Sequence, residues 1–227
     1  MISATIDLGT SVLLLAPVRG LASDAAAVGP ALDGFRPEAV GAGVAAEELE
    51  GLVRYFIDAP AEPVVPLTAT ELSEVRGLVR FGEVRVPNPA FLEALGWGRA
   101  RAVPVVALDP TEEESASLFT EHIGYVELVR RTVREHRLGR SPPTPASADA
   151  FALAWDGEIA GGHGSRRFAA ARDEHLARET RRLARGRARV AVVVDRERYD
   201  SVRATLTVGD RTGGGPTRAD GDWPGAG

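Results

Sequence analysis

Four histidines, one glycine-rich turn and one Arg-Asp pair are the residues of this chain best equipped for chemistry. The histidines are His122, His136, His163 and His175. None stands four residues from another and no H-E-x-x-H occurs, so the zinc pattern of a helix face is missing. His122 and His136 sit among charged residues and read as solvent-facing. No G-x-S-x-G elbow presents a serine, and cysteine is absent, which removes thiolate nucleophiles and disulfides. All 27 basic residues are arginine, so no lysine can form a Schiff base or a Walker-type phosphate contact. Gly161-Gly-His-Gly-Ser165-Arg166-Arg167 opens a helix. Its amides and arginines could hold an anion; the plainer reading is a glycine turn with Ser165 as the cap.

Arg172 and Asp173 are more telling. With Leu176 set at zero and steps of about 100°, Ala169 and Leu183 fall within about 20° of it. Arg172 then lies near about −40° and Asp173 near about +60°, flanking the apolar stripe, whereas Arg181 is about 140° from its centre. A charge aimed at a core must be paired, so the two residues form a structural ion pair or the floor of a polar site.

Four apolar runs supply strands to position such a site: 11–16, 39–44, 103–108 and 190–194. Unbroken rather than alternating apolar residues predict strands covered on both faces, as in a parallel α/β sheet. Helical patterns lie between them, over 23–34 (with Gly29-Pro30 as a kink), 47–57, 71–81 and 90–102. A long helix starts after Thr111, which has Glu114 at capping-box spacing, and extends to about residue 138 with a break at Gly124. Residues 140–147 form a linker by composition, and residues 213–227 a Gly/Pro-rich disordered tail anchored only by Trp223, leaving 1–212 as a single α/β domain.

The net charge is −5, yet 166–198 carries eleven arginines against five acids. That segment could touch nucleic acid, but only Phe168 and Tyr199 interleave its arginines, so a nucleic-acid partner is not expected. No apolar run reaches the roughly 18–20 residues of a membrane span, and no basic stretch precedes the first apolar one. A soluble cytoplasmic protein follows, with no membrane partner and with self-association left open.

In order, these segments resemble the TraB family, the pheromone-shutdown proteins of the Tiki and erythromycin-esterase-like superfamily. The likeness runs over about residues 11–205. It is carried by Leu13-Leu-Leu-Ala-Pro-Val-Arg19, by Phe35-Arg-Pro-Glu-Ala-Val-Gly-Ala-Gly-Val44, by Pro89 to Asp109, and above all by Arg172-Asp-Glu-His-Leu-Ala177 ahead of Val190–Val194. The resemblance implies an α/β sheet with helices on both faces and a metal-dependent hydrolase-like site built from two G-x-x-H motifs and a strand-end glutamate.

This chain departs from the family at the site itself. Ala16 and Arg19 stand where the first glycine and histidine belong, Gly43 where the glutamate belongs, and Asp195-Arg-Glu-Arg198 in place of the second G-x-x-H. A guanidinium has no lone pair for a metal, so arginine cannot replace a ligating histidine. The expectation is therefore a degenerate member without metal, cofactor or catalysis. Arg19, Arg172, Asp173 and Arg198 would meet at the strand ends to bind a small anionic ligand or a peptide, or the arginines would pair with Asp173, Asp195 and Glu197. The alternative, a hydrolase with its own ligands, would draw on Asp109, Glu121, Asp173 and His175.

Overall fold

The computed structural model describes residues 1–58 and 67–209; the predicted tail and Trp223 lie outside them. Five strands form one sheet: β1 (Ile2–Asp7), β2 (Ser11–Ala16), β3 (Ala39–Ala42), β4 (Val105–Ala107) and β5 (Arg189–Val193). Their order is β1-β2-β5-β3-β4, parallel except for β1, which pairs antiparallel with β2. The four expected strands are present, and the fold is α/β with a mostly parallel sheet.

Strand pleating sorts the apolar runs onto two faces. Leu13, Leu15, Val40, Ala42, Ala191 and Val193 point to one side. There they pack under α1 (Ala22–Ala25), α2 (Val28–Phe35), α3 (Ala46–Asp58) and α5 (Pro89–Arg101), with Phe91 and Leu32 fully covered. Val12, Leu14, Val190, Val192 and Val194 face the other side, under α9 (His163–Ala184) and α10 (Tyr199–Gly209). The expected 23–34 helix is two helices. The break comes at Ala26 and Ala27, ahead of Gly29-Pro30, and Pro30 sits in the first turn of α2, where a missing N–H costs nothing.

A third apolar cluster lies beyond the carboxyl ends of the strands. It joins Leu78 of α4 (Ala69–Leu78), Leu138 of α7 (Tyr125–Arg140), and Phe151 and Trp155 of α8 (Ala148–Ile159) to Val18 and Leu21. The long predicted helix is split as expected at Gly124, into α6 (Glu112–His122) and α7, and the Thr111–Glu114 capping box is formed. Helix α7 therefore folds back over the strand ends, while α6 packs against α9. Strand β1 and helix α8 were not anticipated. Gly9, at φ 73°, turns the chain from β1 into β2, a left-handed conformation that suits glycine. Ser147 caps α8 by accepting from the Ala150 amide.

Candidate functional site

Every loop that leaves the carboxyl end of a parallel strand delivers a charged group or a gap to one place. Pro17 to Arg19 follow β2, Gly43 and Val44 follow β3, Asp109 follows β4, and Asp195 to Arg198 follow β5. Open α/β sheets keep their ligands in this crevice. Here a cavity of about 580 Å³ lies between the strand ends and the α4, α7 and α8 layer.

The structure brings Arg19, Arg172, Asp173 and Arg198 together around this cavity. It also pairs every one of them. Arg198 sits deepest, its side chain 11% exposed, between two carboxylates. Its Nε donates to Asp173 Oδ1 at 2.8 Å, and its Nη2 lies 2.9 Å from Asp109 Oδ1. Burial works against this charge, but Asp109 and Asp173 overcome it and raise the pKa above the ordinary arginine value. Arg172 pairs with the other oxygen of Asp109. Arg19, half open to the cleft, reaches Asp195 at 2.5 Å and Glu197 at 3.5 Å. Asn88, the N-cap of α5, donates to the free oxygen of Asp195 at 3.1 Å and so ties the β5 loop to the opposite wall.

The anchor on α9 is Asp173 rather than Arg172. The buried residues Asp173, Leu176, Ala177, Thr180 and Ala184 centre about 55° from Leu176, on the Asp173 side of the sequence-derived stripe. Asp173 thus lies near the middle of the buried face, while Arg172 and Arg181 flank it on opposite edges. Arg181 is no free surface residue: it donates to the Thr205 and Leu206 carbonyls at the end of α10, at 2.6 and 3.2 Å.

Three acids missed in the sequence complete the cavity: Glu48 on α3, Glu74 on α4 and Asp156 on α8. No ion pair to any of them occurs among the described residues. Burial raises the pKa of each carboxyl. Burial, reinforced by Asp195, holds Glu197 up to about 7. Arg19, Arg85, Arg131, Arg172 and Arg198 line the cavity with seven carboxyls, those of Glu48, Glu71, Glu74, Asp156, Asp173, Asp195 and Glu197. Of the two arrangements expected for the arginines, the pairing with Asp173, Asp195 and Glu197 is the one seen. No sequence signal marked the three acids, because α3, α4 and α8 each place one at the cavity wall without any local motif.

The metal expected from the TraB resemblance does not fit these residues. Guanidinium groups stand at the two positions where that resemblance expects histidine, and Arg198 also approaches the Gly43 carbonyl at 3.4 Å. Where the resemblance expects a glutamate, even a Cβ on Gly43 would stand 3.1 Å from Val194 Cγ1 and 3.3 Å from Leu176 Cδ1. Among the described residues no three His, Cys, Asp or Glu side chains are placed to share a metal ion. The alternative set for a hydrolase is dispersed. Arg198 holds Asp109 and Asp173, Glu121 is exposed on α6, and His175 lies beside Arg178, 3.0 Å from its Nη2.

The glycine-rich turn is a helix N-terminus already holding an anion of its own. Glu127 of α7 accepts from the Gly164 and Ser165 amides at 2.8 and 2.6 Å and from the Ser165 hydroxyl at 2.8 Å. Those bonds, the Ser165 amide first, lower its pKa. Ser165 is therefore inside the first turn, with Gly162 at the N-cap.

The arginine-rich stretch 166–198 presents no continuous basic stripe, since Arg172, Arg181, Arg187, Arg196 and Arg198 all bond within the fold. Among the described residues no helix is long and apolar enough to cross a membrane. No protein-family model matches the chain, and no curated protein matches it either.

Proposed function

We propose that this chain is a degenerate TraB-like domain whose strand-end cleft binds a ligand instead of hydrolysing one with a metal. The observation that supports this is the place of Arg198. A guanidinium fills the space between Asp109 and Asp173 and takes the place a bridging metal cation would need. The metal position is compensated internally, while the cavity above it stays open at about 580 Å³. That volume is within the roughly 300–1,000 Å³ of small-molecule pockets.

Elemental analysis of protein purified without chelator tests the reading. The expected outcome is far less than one equivalent of zinc, manganese or iron. Near-stoichiometric metal that disappears in Asp109→Asn would overturn it.

A further inference from the structure

Resting on the reading of the cleft as a binding site, we propose that its ligand is an organic cation, a molecule carrying amino or guanidino groups, held by Glu48, Glu74 and Asp156. The cavity wall carries more carboxyls than paired charges. Arg19, Arg172 and Arg198 are matched by Asp109, Asp173, Asp195 and Glu197. The two remaining cations at the wall have partners of their own, Arg85 with Glu83 and Arg131 with Glu135, both at 2.8 Å. What remains facing the space is acidic, from three separate helices.

An anion entering here would meet arginines already bonded to carboxylates and would have to displace one. A cation would meet carboxylates that lack a partner. It would gain charge-assisted hydrogen bonds, which are shorter and roughly twice as strong as neutral ones. Burial already holds Glu48, Glu74 and Asp156 above their ordinary pKa values, and a cation placed beside them would favour their ionised form. The wall is not uniformly polar. Val75, Val84 and Ile159 also line it, so the fitting ligand has an apolar carbon chain between or beside its charged ends. An alkyl polyamine has this form.

Isothermal titration calorimetry of the full chain at pH 8 tests the proposal, with spermidine and inorganic phosphate as probes. Spermidine should bind at one site, and phosphate should not. The double variant Glu74→Gln/Asp156→Asn should weaken spermidine binding about tenfold or more, since each lost hydrogen bond to a charged group is worth that much. Glu112→Gln/Glu113→Gln, on the exposed start of α6, should bind as the wild type does and so exclude diffuse attraction to an acidic surface. Neither acid of the double variant holds an ion pair among the described residues, so the variant should keep its far-ultraviolet circular dichroism. Spermidine binding that is undetectable, lacks a definite stoichiometry or is unchanged in the double variant overturns the proposal. Phosphate binding lost in Arg172→Ala overturns it too, while the cleft remains a binding site. Stoichiometric metal in the cleft would instead overturn the underlying reading.

Discussion

Replacing Arg198 by methionine removes a charge on which buried carboxylates depend. The side chains of Asp109 and Asp173 are 2% and 7% exposed, and that of Arg198 is 11% exposed. Asp109 keeps Arg172 in the variant. Asp173 has no other ion pair among the described residues and would be left as a lone carboxylate in the core. Methionine retains most of the aliphatic stem, so the loss is one of charge and hydrogen bonding more than of volume. Removing one partner of a buried pair costs about 3–5 kcal/mol. Against the roughly 5–15 kcal/mol total of an ordinary domain, Arg198→Met should lose at least about a fifth of its stability. Urea unfolding at pH 8, followed by circular dichroism, measures this directly. Adding Asp173→Asn should then recover part of the loss, because it removes the stranded charge. A stability within about 0.5 kcal/mol of wild type would refute the reasoning, since that is the range of a surface change.

Two further outcomes follow from the same geometry. Gly164→Ala should lose about 1–3 kcal/mol in urea unfolding, since a Cβ there would overlap the His122 carbonyl and crowd the Glu127 carboxylate; unchanged stability would mean that α6 and α9 meet more loosely. The Glu197 carboxyl, surrounded by Asp195, Arg19 and Asp156, is held up to about 7 by burial and then by Asp195, against an ordinary value of 4.5. The folded state therefore holds that proton more tightly than the unfolded chain. Its contribution is complete below about pH 4.5 and is lost as pH rises through 7, a change on the order of 3 kcal/mol. Glu197→Gln should flatten this decline between pH 5 and 8, and equal slopes in both proteins would refute the assignment.

The parallel sheet was legible because its strands are buried on both faces and therefore read as unbroken apolar runs. Strand β1 was not, because Ile2–Asp7 alternates, as an edge strand half-open to solvent does, and its burial pattern follows that alternation. Helix α8 was hidden for another reason. Its buried residues Phe151, Ala152 and Trp155 mark a narrow stripe between two stretches that read as loops, and its function is to cover strand ends rather than the sheet. The caps carried through: Thr111 and Glu114 bond as their spacing requires, at 3.2 Å from the Glu114 amide to the Thr111 hydroxyl.

The convergence of Arg19, Arg172 and Arg198 could be read from strand order, but the charge of the place where they converge could not. A helical wheel centred on Leu176 set Arg172 and Asp173 on either flank of the stripe, and a phase error of about 55° hid that Asp173 lies near the middle of the buried face. The counter-charges also come from a distance. Asp109 stands 63 residues before Arg172, and Asp195 stands 176 residues after Arg19. Only a folded sheet shows that each arginine meets its own carboxylate, and only the covering layer shows that Glu74 and Asp156 meet none. The two kinds of acid should therefore answer differently to substitution. Asp109 and Asp173 neutralise buried arginines, so changing them should alter stability. Glu74 and Asp156 hold no ion pair among the described residues, so neutralising them should cost far less stability and change what the cleft can hold.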